Sequence, residues 1–172
     1  MQTFLVAVFG ILCGPQFWQG ESTSAAKEPE LTITGAVEAP VTLRASQLAR
    51  LRHRVVSAKR RDGMPTQFEG VLLKDALELA GVRFGDSLKG DRISMFLLAE
   101  SADGYRVVFA LPELDPSFTD KVVLLAMLQD GIELSSREGP FRIIIPDEKK
   151  QARSIKRLKM LRLLRSEDAV EE

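Results

Sequence analysis

FEGVLLKDALELAGVRFGDSLKGDRISMFLLAESADGYRVVFAL, residues 68–111, carries both secondary-structure periods in one stretch. Val71, Leu72, Ala76, Leu77, Leu79 and Ala80 recur at helical spacing and Gly81 follows as a stop, so the spacing predicts a helix over 71–80. Residues 93–99 and 105–111 are instead two apolar, β-prone runs on either side of Asp103-Gly104. That pair suits the positive φ angles of a tight hairpin. A helix followed by an antiparallel hairpin, with no repeated strand-helix-strand unit, points to a mixed α+β class.

Working outward from this stretch adds mostly short strands. Upstream, residues 31–35 alternate as a strand should, and 41–43 resume after Pro40. Residues 45–51 have helical composition, with Ser46 near the start as a candidate cap. Residues 54–59 read as a strand, Arg60, Arg61, Asp62 and Gly63 as its turn, and 66–68 as the returning strand. Downstream, 122–128 and 132–134 flank a second hairpin pair, Asp130-Gly131, and 141–145 form a strand that ends at Pro146. From Ser154 onward, Ile155, Leu158, Met160, Leu161, Leu163 and Leu164 match neither period, and helix and strand both stay open. The expectation is one mixed domain of several short strands and hairpins with two or three short helices.

A chain of 172 residues has room for one real core and too little for two comfortable ones. With 45% apolar and 28% charged residues it falls among ordinary soluble globular proteins. Lys plus Arg and Asp plus Glu both number 24, so no overall field points to nucleic acid. Residues 1–26 differ from the rest. Phe4 to Cys13 is an uncharged, nearly unbroken apolar run, followed by Gly14, Pro15 and a small polar stretch ending at Ala26. That is the shape of a secretory signal peptide, and it is too short for a stable membrane span, which needs roughly 20 residues. Met1 to Thr3 carries no Lys or Arg, which keeps a buried or frayed N-terminal helix as the alternative. The expected division is a signal peptide at 1–26, a domain at 27–165 and a disordered acidic tail at 166–172, in a periplasmic or secreted protein. Cys13 is the only cysteine, and Leu12 before it is not the small residue that a lipid anchor wants. Cleavage near Ser24, Ala25 and Ala26 would leave no thiol, and with it no disulfide, thiolate ligand or cysteine nucleophile.

Little of the rest selects a chemistry. His53 is the only histidine, which excludes histidine pairs and multi-histidine metal sites, and between Arg52 and Arg54 it reads as a surface group. Nothing in the spacing of Glu69, Glu100, Asp103, Asp115 and Asp120 selects an acid-base pair. Asp103 is accounted for by its turn, Asp115 by the bend at Pro116, and Asp120 by a loop. Gly81, Gly85 and Gly90 lack the lysine and hydroxyl pattern of a phosphate loop. The unusual feature is the basic run Lys149, Lys150, Arg153, Lys156, Arg157, Lys159, Arg162 and Arg165. It suits an anion or a charged partner surface as well as it suits the solvated face of the last element.

Five short motifs occur in order: Leu31-Thr32-Ile33-Thr34-Gly35, Phe68-Glu69-Gly70-Val71-Leu72-Leu73, Ala102-Asp103-Gly104-Tyr105, Gly139-Pro140-Phe141-Arg142 with Pro146, and Ala152-Arg153-Ser154-Ile155-Lys156. In that order they resemble the oxidoreductase molybdopterin-binding domain, the fold of sulfite oxidase and its relatives, over roughly residues 31–164. The resemblance implies a strand after Lys156. It also implies that Arg153, Ser154 and Lys156 help hold a pterin and its phosphate, so molybdopterin is the cofactor it brings into view. Two departures weigh against molybdenum chemistry. The segment that carries the metal-ligating cysteine in these enzymes corresponds here to 55–63, which has none, and Ser57 or Asp62 offers only hard oxygen where a soft thiolate is needed. The pterin-contact segment rich in aromatic, arginine and histidine residues is not recognisable at 27–31.

The reading that follows is an exported domain of this type acting as a non-catalytic binding or accessory module, with a protein partner or a small anionic ligand. One alternative is a molybdopterin-dependent oxidoreductase whose metal position lacks cysteine. Another is a protein–protein interaction domain using the basic face at 149–165. Expressed with its N-terminus intact in a secreting host, the exported protein is expected to begin between Ala25 and Lys27 and to take up no thiol-reactive maleimide. N-terminal sequencing and intact mass check both, and a start at Met1 would overturn the export reading.

Overall fold

The computed structural model of the chain describes residues 27–60 and 63–167. The apolar run with Cys13, the turn residues Arg61 and Asp62, and residues 168–172 of the acidic tail lie outside the described residues.

The chain runs β1 (Glu30–Gly35), β2 (Val41–Arg44), α1 (Ala45–Leu48), β3 (His53–Lys59), β4 (Pro65–Leu72), α2 (Leu73–Leu79), β5 (Phe96–Ser101), β6 (Arg106–Ala110), β7 (Leu124–Gln129), β8 (Ile132–Glu133), β9 (Arg142–Ile144) and β10 (Leu158–Leu164). Short 3-10 turns at Gly85–Ser87, Gly90–Ser94, Leu111–Leu114 and Gln151–Arg153 join them. The first sheet has the order β2-β1-β10-β5-β6. In the second, β3, β4 and β7 lie side by side, and the far edge of β7 pairs with β9 along Leu124–Ala126 and with β8 at Leu128 and Gln129. Two sheets and two short helices make the mixed α+β domain that the sequence implies.

Alternation explains the layering. Along β1 and β10, Leu31, Ile33, Leu161 and Leu163 are buried while Thr32, Thr34 and Arg162 face outward. The inward set joins Leu97 and Phe109 of the first sheet, Val71 and Leu125 of the second, and Leu77 of α2 in one core. A smaller cluster of Phe68, Leu124, Ala126 and Ile144 lies on the other face of the second sheet.

Several boundaries differ from the sequence expectation, each for a physical reason. Val71 and Leu72 extend β4 instead of starting a helix, because Val71 pairs with His53 on one side and Leu125 on the other. Helix α2 therefore begins at Leu73, whose N–H donates to the Val123 carbonyl at 2.9 Å. Helix α1 is only four residues long and Ser46 does not cap it. The cap is Arg44, whose N–H donates to Gln47 Oε1 at 2.9 Å, while the Ser46 N–H donates to Glu28 Oε1 at 2.7 Å. Strand β5 starts at Phe96, since Ile93 lies in the 3-10 turn Gly90–Ser94. At the hairpin tips, Asp130 (φ 51) and Gly131 (φ 79) are both left-handed, whereas at Asp103-Gly104 only Gly104 is (φ 84). There the Asp103 carboxylate accepts the Tyr105 N–H instead, at 3.2 Å. After Lys156 the chain is a strand, β10, which decides between the two periods.

Gly70 sits in mid-sheet between Arg54 on β3 and Ala126 on β7, at the register shift of β4. A Cβ there would stand 2.0 Å from the Leu125 carbonyl oxygen, which is backbone and has nowhere to go. Gly70→Ala is expected to destabilise the fold by about 3 kcal/mol, the upper end for overpacking, read as a lower urea midpoint. An unchanged midpoint would mean that the two strands stand further apart than described.

Candidate functional site

Residues 147–157 pass from β9 to β10 across the end of the first sheet, and a set of ion pairs fixes them there. The 3-10 turn Gln151–Arg153 points the Arg153 guanidinium between two carboxylates. Its NH1 donates to Glu113 Oε1 at 2.9 Å and its NH2 to Glu113 Oε2 at 3.1 Å, a two-point fork. Its Nε donates to Glu148 Oε1 at 2.9 Å, and its NH2 also reaches Glu148. The same guanidinium lies 5.1 Å above the Phe109 ring and donates to the Val108 carbonyl. Lys121 Nζ closes the group, 3.3 Å from Glu113 and 4.0 Å from Glu148. On the neighbouring strand end, Tyr105 Oη donates to the Ala152 carbonyl at 2.8 Å.

Glu138 organises a second group. It accepts from Lys156 Nζ at 2.6 Å and from Arg142 NH1 at 2.8 Å, and its carbonyl takes the Arg157 N–H at 2.8 Å. Arg142 is a charge in a buried strand: it is 6% exposed, lies 5.0 Å over the Phe68 ring, and its Nε has no hydrogen-bond partner.

The electrostatics follow from these contacts. Burial works to raise the Glu113 carboxyl, but the hydrogen bond and charge of Arg153, with help from the Ala110 N–H and Lys121, outweigh it and hold the group below the usual carboxylate range. Glu138 is held low against its own burial by Lys156 and Arg142. The bonds from Glu113 and Glu148 raise Arg153 further above its usual value. Burial pulls Arg142 below its own, with Glu138 opposing.

Of the three residues expected to hold a cofactor, Arg153 and Lys156 thus each face carboxylates of this chain, and Ser154 is half-buried with its N–H bonded to the Gln151 carbonyl. The basic run is not one face. Lys149 and Lys150 are exposed on the loop, Arg153 and Lys156 turn to their acids, and Arg162 lies on the outer side of β10. Residues 55–59 lie in β3, with Ser57 exposed. Among the described residues no group of three or more His, Cys, Asp or Glu side chains is placed to hold a metal, and no helix is long and apolar enough to cross a membrane. His53 Nδ1 pairs with Glu69 at 3.0 Å in an exposed position. Asp115 is used by its bend, its carboxylate accepting the N–H groups of Gly85 at 2.5 Å and Ser117 at 2.9 Å. Of two depressions of about 210 and 200 Å³, neither is lined by Arg153, Ser154 or Lys156, though the second reaches Lys121.

The carboxylates Glu113, Glu138 and Glu148 carry no signal in the sequence. Arg142 does carry one, because a cation between Phe141 and Ile143 in an apolar strand requires a counter-charge.

The fold agrees with the comparisons. The family described as "Oxidoreductase molybdopterin binding domain" matches residues 20–170, and the chain belongs to it. The sulfane dehydrogenase SoxCD from Paracoccus pantotrophus is similar in fold, with a TM-score of 0.61 and 20% sequence identity over 78% of this chain and 38% of that one. The chain therefore spans well under half the length of that enzyme chain. No curated protein matches the sequence.

The carboxylates give the fold an acid limit. A carboxyl held lower in the folded than in the unfolded chain adds stability that is complete above the unfolded value, near pH 4, and is lost as pH falls through the folded value. Thermal stability is therefore expected to fall as pH drops below the ordinary carboxylate range, about pH 4, with a flatter profile in Glu113→Gln. Arg153→Ala, which leaves two acids facing each other, is expected to cost about 2 kcal/mol at neutral pH. Unfolding curves across this range check both, and parallel profiles for wild type and Glu113→Gln would contradict the assignment.

Proposed function

We propose that this member of the molybdopterin-binding family is an exported binding or accessory module that performs no molybdenum redox chemistry of its own. The observation that carries this reading is the pairing of Arg153 with Glu113 and Glu148, and of Lys156 with Glu138. A pterin phosphate needs cations with charge to spare, and here Arg153 and Lys156 are each paired with the chain's own carboxylates. The residues present therefore fit the cofactor poorly at its anionic end. At its metal end they do not fit, since the stretch matching the ligand segment is Val55 to Gly63, without a thiol. Arg142 Nε is a buried donor in this region that lacks an acceptor, and a small anion is a ligand whose chemistry would complete it. Export is supported by the apolar run Phe4 to Cys13 and the small residues that follow it.

The full-length chain, expressed in a host that makes molybdopterin and purified from the exported fraction, is expected to contain neither molybdenum by elemental mass spectrometry nor pterin by fluorescence after release. About one metal and one pterin per chain would overturn the proposal and establish an oxidoreductase that fills its metal position without cysteine.

A further inference from the structure

Strand β3 closes one side of the second sheet and, among the described residues, is paired only with β4, leaving its other edge open. The direction of its backbone groups follows from one bond. The Arg60 N–H donates to the Met64 carbonyl at 2.8 Å, so in the antiparallel ladder Ala58, Val56 and Arg54 also turn their backbone toward β4. Val55, Ser57 and Lys59 turn theirs away. Every second residue of a seven-residue strand thus presents an N–H and a carbonyl outward.

The side chains on this edge are uncommon for an unpaired strand. Proteins usually guard such an edge with a charge or proline in its middle, or a very short strand. Here the middle reads Val55-Val56-Ser57-Ala58, with Val55 59% exposed, and the charges stand at the two ends as Arg52 and Arg54, and Lys59. The sequence around it is one-signed. From Glu38 to Asp62 there is no acidic residue between, and Arg44, Arg50, Arg52, Arg54, Lys59, Arg60 and Arg61 give seven cations in a chain whose total charge is zero. Acids that face the strand from its neighbours are Glu69, opposite Val55 and paired with His53, Asp75 near Arg52 and Arg54, and Asp120, which lines a depression with Arg54.

We propose that β3 is a docking edge for an extended, acidic segment of a partner protein, which adds to the second sheet as a further strand. Main-chain bonds to Val55, Ser57 and Lys59 supply the affinity. Acidic side chains at both ends of the incoming strand, against Arg52, Arg54 and Lys59, set its composition, and a small or apolar centre meets Val55. This site is separate from Arg153 and Glu138 but lies on the stretch that matches the metal-ligand segment, so it rests on the reading that no molybdenum is held there; metal content and peptide binding are measured separately, so either can fail alone.

The test uses the full chain and a synthetic peptide with an alternating valine–threonine centre and glutamates at both ends, against the same centre flanked by lysines. The acidic peptide is expected to bind at least about tenfold more tightly, to lose affinity as salt rises, and to slow hydrogen exchange at the amides of Val55, Ser57 and Lys59. Ser57→Pro removes one outward N–H without touching the β4 ladder, a position where an edge strand tolerates proline, and is expected to weaken binding about tenfold or more. Should that variant fail to fold, the double charge reversal Arg54→Glu with Lys59→Glu decides, and is expected to invert the preference between the two peptides. Equal binding of both peptides, binding without protection of those three amides, a preference untouched by charge reversal, or binding of anionic lipid vesicles with no binding of the acidic peptide would each overturn the proposal.

Discussion

Strand β10 is the constraint on which the first sheet depends. It is the last strand in sequence yet occupies the middle of that sheet, parallel to β1 from Thr32/Met160 to Gly35/Leu163 and antiparallel to β5 from Leu158/Ser101 to Leu164/Phe96. Its Leu161 and Leu163 join Leu31 and Ile33 of β1 and Leu97 and Ala99 of β5 in one core. Without β10, the β1–β2 and β5–β6 pairs share no hydrogen-bond ladder, and each alone is a two-stranded ribbon of marginal stability. The ion pairs of Arg153 and Glu138 act on the segment that enters β10, so the group of charges at the candidate site also holds the position of the strand that joins the sheet.

That double duty bears on function. In a cofactor-binding member of this fold, cations on the entry to the last strand would be available to an anionic ligand. In this chain Glu113, Glu148 and Glu138 meet them first. Partly buried, charge-assisted bonds of this kind favour one loop position over others. Under the proposed function, the charges that stabilise this segment are the ones that an anionic ligand would have to displace.

The parts of the fold legible in the sequence are those with a strong local cause. Alternation in 31–35, the Asp130-Gly131 turn and the apolar positions Ala76, Leu77, Leu79 and Ala80 before Gly81 each specify an element without help from elsewhere. What was not legible depends on distant partners. Val71 and Leu72 suit a helical stripe as well as a strand, and only the neighbours His53 and Leu125 decide. Ser46 has the composition of a cap, but Glu28, eighteen residues away, takes its N–H. After Ser154 periodicity was silent and the family resemblance pointed to a strand. At the site, Arg153 and Lys156 stood out as cations, whereas the acids that neutralise them lie up to forty residues off and leave no pattern in the chain.

The placement of β10 also sets a timetable. Its contacts with β1 join residues separated by nearly the whole domain, and the loop entropy for such a pairing is spent before any contact repays it. During synthesis the ribbons β1–β2 and β5–β6 emerge long before the strand that unites them. Through that interval the inner edges of β1 and β5 are open templates for any other extended chain nearby. The polypeptide thus remains uncommitted until its final strand is made, and its safe maturation depends on what shields those edges in the meantime.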